Sequence, residues 1–156
     1  MITAITSKTP GCEIVSTRIV NASRELVYRV WTDPNHLKNW WGSSGFTNTF
    51  NEFDLQVGEK WSFVMHGSDK GAYANECEFI KINKPSFIAW KPFSKPIFQV
   101  VATFEEVAAD KTRVVFKQIF NTAEECRKVK VFAGNKNEEN FDRLEDELRI
   151  MIASLK

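Results

Sequence analysis

Five polar side chains fall where they could meet a ligand in an otherwise apolar setting: His66, Tyr73, Asn75, Glu76 and Gln118. His66 closes an aromatic run (Trp61, Phe63, Met65) beside Gly67. A histidine titrates near neutral pH and can serve as acid, base or hydrogen-bond donor. It shares parity with Ser62 and Val64, however, which turns it away from the rings and toward a turn backbone. Glu76 and Asn75 are polar residues within a strand-like run, so burial would demand a partner for each. Glu76 either meets a ligand hydroxyl or amine, or pairs with a Lys or Arg on the outer face. Gln118 shares a face with Val114, Phe116 and Phe120 and is a polar anchor or a backbone partner. His36, the second histidine, reads as a solvated helix residue. Asp142, Glu145 and Asp146, next to Arg143 and Arg149, read as a solvated charged face.

Other chemistries have no foothold. The chain has no GxSxG elbow and no phosphate-cradling Gly-rich loop. Two histidines and the scattered Cys12, Cys77 and Cys126 make no zinc pattern. No cofactor and no catalytic residue is expected. Lys+Arg is 21 and Asp+Glu is 20, with no basic run, so nucleic acid is a poor partner. Three separated cysteines give no disulfide framework and suit a reducing, cytoplasmic setting. The start lacks an apolar h-region, and no apolar run nears the roughly 20 residues of a membrane span.

The unusual feature is the ring content: 13 Phe, 5 Trp and 2 Tyr. Trp40, Trp41, Phe46, Trp61, Phe63 and Phe79 are candidates to line an internal space. Trp90, Phe98, Phe104, Phe116, Phe141 and Leu144 are the others. Either they fill a solid core, or the surplus rings line a cavity with a few polar groups, the usual form of a small-molecule site.

Several elements must position these residues. In residues 137–156, Phe141, Leu144, Leu148, Met151, Ile152 and Leu155 follow helical spacing. Ile150 lies off this stripe, which predicts cover on a second side. Such a helix needs an apolar surface to lie on. The middle of the chain offers one: alternating runs at 47–55, 61–66, 73–83, 87–91, 98–104 and 112–120, joined by short turns, predict an antiparallel sheet. Residues 12–20 make a first strand. Two short helices follow it, the first capped by Asn21 or Ser23, the second by Asp33 with Pro34 at its first position and Gly42 at its end. Thr122 to Glu125 resembles a capping box, opening a helical piece to about residue 132, with an end or kink at Gly134-Asn135. Residues 1–11 read as a loose leader and 12–156 as one domain.

That order, with particular residues in it, resembles the heat-shock-protein-90 ATPase activator homologue family. This belongs to the START-like superfamily, also called SRPBCC or birch-pollen-allergen-like. The similar stretches include Thr32-Asp33-Pro34-Asn35-His36-Leu37-Lys38-Asn39-Trp40-Trp41-Gly42 and Gly45-Phe46-Thr47-Asn48-Thr49. Phe53-Asp54-Leu55-Gln56-Val57-Gly58-Glu59-Lys60-Trp61, Tyr73-Ala74-Asn75-Glu76 and Asn140-Phe141-Asp142-Arg143-Leu144 continue the likeness. One departure is the start of the last helix: Asn135-Lys136-Asn137-Glu138-Glu139 stands where many relatives are Gly- or aromatic-rich. The resemblance implies an α+β helix-grip fold, a curved antiparallel sheet of six to seven strands wrapped round a long C-terminal helix. It also implies a cavity between the two.

The expected function is binding of a small hydrophobic or amphipathic molecule by a monomer or homodimer. One alternative is a chaperone-linked interaction protein, although the longer activators carry a further N-terminal domain. Another is a cavity-based cyclase or hydrolase using His66 or Glu76.

Overall fold

The computed structural model describes residues 13–42, 44–67, 70–93 and 98–155, apart from the side chains at 132–135. The expected leader, Cys12 and most of the expected proline loop at 92–96 lie outside the described residues.

Strand β1 (Glu13–Val20) leads into helices α1 (Arg24–Thr32) and α2 (Pro34–Trp40). Ser23 caps α1 by accepting from the Leu26 amide at 3.3 Å. Asp33 caps α2 by accepting from the Asn35 amide at 3.0 Å, and Pro34 follows it in the first turn, where its missing N–H costs nothing. Six strands then run in sequence: β2 (Thr47–Phe53), β3 (Lys60–His66), β4 (Ala72–Asn83), β5 (Phe87–Pro92), β6 (Phe98–Ala108) and β7 (Lys111–Phe120). Each pairs antiparallel with the next, and β1 pairs with β7, giving the order β1-β7-β6-β5-β4-β3-β2. Register shifts at Phe50/Glu52, Phe79/Lys81 and Glu106/Ala108 bend the sheet. Its concave face holds α3 (Ala123–Ser154), capped by Thr122, which accepts from the Glu125 amide at 3.1 Å. The fold is α+β with a seven-stranded antiparallel sheet and a long C-terminal helix.

The helix corrects three sequence expectations. It runs unbroken through Gly134-Asn135, because the penalty for one glycine, about 1 kcal/mol, is small beside the packing of its ends. Ile150 gains no second cover and is 61% exposed, and Leu155 has left the stripe at the C-cap, 68% exposed. Phe141, Leu144, Leu148 and Met151 do form the buried stripe.

Half of the space under the sheet is solid. Trp31 packs edge-on to Trp40 at 4.7 Å, and Trp61 stacks on Phe63 at 4.4 Å. Phe79, Phe104, Leu144 and the α1 residues Val27 and Val30 complete this block, all essentially without exposure. No described helix is long and apolar enough to cross a membrane.

Candidate functional site

The other half of that space is open. A cavity of about 560 Å³ lies between the concave face of β3–β7 and the middle of α3. Strand alternation supplies its walls. Odd positions of β3 and β4 point inward, giving Phe63 and Met65, then Tyr73, Asn75 and Cys77. The inward parity of β5, β6 and β7 gives Trp90 and Pro92, Phe98 and Val100, and Phe116 and Gln118. The connection from α2 to β2 contributes Trp41, Gly42 and Phe46, and α3 contributes Lys136, Asn137 and Asn140. Trp41 is the partition between the two halves. Its ring lies 5.4 Å from Trp61 on the solid side, and 5.8 Å from Trp90 and 6.1 Å from Phe116 on the open side.

Trp41 is held in place from α3. Arg143 donates to the carbonyls of Asn39 at 3.0 Å, Gly42 at 2.9 Å and Trp41 at 3.4 Å, satisfying the carbonyls at the end of α2. Burial lowers the pKa of this guanidinium. Gly42 itself has φ of +100°, and a Cβ there would lie 2.7 Å from Met65 Cε and 3.2 Å from Phe46 Cβ. A second tie joins the same two helices. Glu147, only 5% exposed, meets His36 Nδ1 at 2.8 Å and accepts from Asn39 Nδ2 at 3.1 Å. On the opposite side of α3, Arg18 of β1 pairs with Glu138 at 2.7 Å, Asp142 at 2.6 Å and Glu145 at 3.0 Å. Burial pulls the Arg18 pKa down, but the three carboxylates outweigh it and the net shift is upward.

Two of the cavity's polar groups, Asn137 and Gln118, meet where α3 passes β7. Asn137 Nδ2 donates to Ser16 Oγ at 3.1 Å and to Gln118 Oε1 at 3.3 Å. Asn75 donates to the Tyr73 carbonyl at 3.0 Å. Cys77 is 6% exposed, and burial, with the nearby Glu76 charge, pushes its thiol up to about 12. No group of three metal-ligating side chains occurs among the described residues. The arrangement can enclose an apolar body and hydrogen-bond one polar end.

The family model for activator of Hsp90 ATPase homolog 1-like protein matches residues 21–149, most of the chain. The chain belongs to this family. A crystal structure of a Nitrosomonas europaea protein is similar at a TM-score of 0.85 and 18% identity, over 93% of this chain and 99% of that one. A solution structure of an Arthrobacter aurescens protein gives 0.82 at 18% identity, over 96% and 92% of the two chains. A Rhodobacter sphaeroides protein gives 0.81 at 19% identity, over 98% of each chain. At these identities the likeness is one of fold. No curated protein matches the chain.

In this family member the residues singled out from sequence divide by position. Trp41, Phe46, Phe63, Tyr73 and Asn75 line the cavity, as do Trp90, Phe98, Phe116 and Gln118. Trp40, Trp61, Phe79, Phe104, Phe141 and Leu144 point inward too, but stand in the solid half, packed against α1, α2 and the C-terminal half of α3. His66 and Glu76, candidates for ligand contact from the sequence, lie instead on the outer face, because strand alternation puts them opposite Met65 and Asn75. His66 Nε2 is 2.9 Å from Thr49 Oγ1, and Glu76 pairs with Lys60 at 3.5 Å. His36 and Glu147 are tied together rather than solvated, and Asp142 and Glu145 hold Arg18. Sequence reasoning missed Gly42, Met65, Cys77, Pro92, Val100, Lys136, Asn137 and Asn140 as lining residues. For Met65, Cys77 and Val100 the signal was present, since each shares parity with a chosen ring. For Lys136, Asn137 and Asn140 it was not, because a polar helix start has the same pattern whether it faces solvent or a cavity.

Proposed function

We propose that this family member binds a small hydrophobic or amphipathic molecule in the cavity between its sheet and α3. The observation that carries this reading is the cavity itself, about 560 Å³, walled by Trp41, Phe63, Trp90, Phe98 and Phe116, with amides at one end. Binding would come from desolvation of the ligand's apolar part, with one or two hydrogen bonds setting its orientation. Burying ~200 Å² of apolar ligand surface is worth roughly 5 kcal/mol before ordering costs, which gives micromolar-scale affinity at best without polar anchors. Binding is favoured over turnover because His66 and Glu76 face outward and the Cys77 thiol is held protonated. The buried free thiol of Cys77 favours a reducing, cytoplasmic setting.

Native mass spectrometry of freshly purified protein should find a co-purifying small molecule. Nile red should bind saturably at about one per chain, with energy transfer from Trp41 and Trp90. Absence of both results would remove the reading. The family's description favours a second one, contact with an Hsp90-class chaperone through the outer surface. A pull-down with Hsp90 and measurement of its ATPase rate would test that.

A further inference from the structure

We propose that the molecule bound here is an amphipathic acid: an apolar body carrying one carboxylate or a similar anionic head. This rests on the cavity being a ligand site, and it names the class of ligand from the charges that surround the space.

Among the described residues the lining contains no Asp, Glu or Arg, and Lys136 is its one basic residue. Every carboxylate that α3 carries close to Lys136 in sequence has a partner elsewhere. Glu138 and Asp142 are held by Arg18, with Glu145 beyond them, and Glu139 accepts from the Ser44 amide at 3.0 Å. Lys136 makes no ion pair among the described residues, so none of their carboxylates answers its charge. Next to it in the chain, Asn137 spends both its donated hydrogen bonds on Ser16 and Gln118. That fixes the Gln118 amide with its oxygen occupied and its NH₂ group undonated among the described residues, although Gln118 is 9% exposed and lines the cavity. One end of an aromatic chamber therefore offers a cation and an amide donor. An anion satisfies both. A neutral alcohol can accept from the amide and donate to the unpartnered Asn140 Oδ1 of the lining, but it leaves the Lys136 charge unanswered. A cationic head meets Lys136 with like charge and finds no carboxylate, which also excludes the aromatic-cage mode of ammonium recognition.

The test is displacement of Nile red by three ligands with the same chain: decanoate, decanol and decylammonium. Decanoate should displace it about tenfold more tightly than decanol, the usual worth of one charge-assisted contact, and decylammonium should be weakest. Lys136→Gln, an exposed substitution on α3, should bring decanoate to within about twofold of decanol. Equal displacement by decanoate and decanol would overturn the acid inference and leave the cavity reading standing. So would a decanoate advantage that survives Lys136→Gln. If Nile red does not bind and none of the three ligands protects Trp41 or Trp90 fluorescence from quenching by acrylamide, the cavity reading fails and this inference with it.

Discussion

Cys77 sits on the inward parity of β4 between Asn75, which lines the cavity, and Phe79, which belongs to the solid core. Burial first, and the Glu76 charge second, raise its thiol to about 12. At pH 8 the thiolate fraction is then smaller than that of an ordinary cysteine by roughly a thousandfold. Iodoacetamide should accordingly label the Cys77 peptide of the native protein far more slowly than that of the urea-unfolded chain. Comparable rates in the two states would disprove the burial argument. The folded pKa lies above the unfolded one, so the thiol's contribution to stability is complete below about pH 8.5 and is lost as pH rises toward about 12. At this scale the sequence was informative wherever strand parity decided the matter. The alternation of Tyr73, Asn75, Cys77 and Phe79 could be read from it, whereas Glu76, with either face open to it in the sequence, and His66, carried as a ligand candidate, stand on the outer face. The His36–Glu147 tie could not, since its partners are far apart in the chain and each looks like ordinary helix surface.

Between elements, the decisive contact is Arg143 of α3 on the C-terminal carbonyls of α2. It does what a C-capping side chain does, but from another helix, and it fixes the Trp41 partition. Arg143→Met keeps the stem's packing and deletes the donors, leaving the Asn39 and Gly42 carbonyls short of a partner, while that of Trp41 keeps Asn48 Nδ2 at 2.8 Å. A loss of about 1–3 kcal/mol in urea unfolding is expected, together with weaker Nile red binding as Trp41 loosens. Arg149→Met is the control. Arg149 is 66% exposed and among the described residues pairs only with Asp146, so its loss should cost no more than about 0.5 kcal/mol. Equal costs for the two variants would show that the capping contact contributes nothing. Helical periodicity placed Arg143 on the face opposite Phe141 and Leu144, but periodicity reports only the face. What the neighbouring element presents there is a tertiary fact, and α2 lies about a hundred residues earlier.

For the molecule as a whole, the order of strands and helices was legible because each has its own period, cap or turn. The division of the interior was not. Twenty aromatic residues can fill a volume or surround one, and composition is the same in both cases. The division can be tested without any ligand, on one strand. Val100 and Ala102 of β6 both face α3's side of the sheet, two residues apart, 3% and 0% exposed. Val100 lines the cavity, whereas Ala102 stands in the solid block with Phe104 and Val114. Val100→Phe has room for its added ring and should change unfolding free energy by less than about 1 kcal/mol, while weakening Nile red binding by taking part of the space. Ala102→Val adds a similar volume but meets packed neighbours, and should cost about 1–3 kcal/mol or more. Urea titration of the two variants makes the comparison. If the larger residue at 100 proves as damaging as the smaller one at 102, the interior is uniformly filled, and a binding role for the space beneath the sheet goes with it.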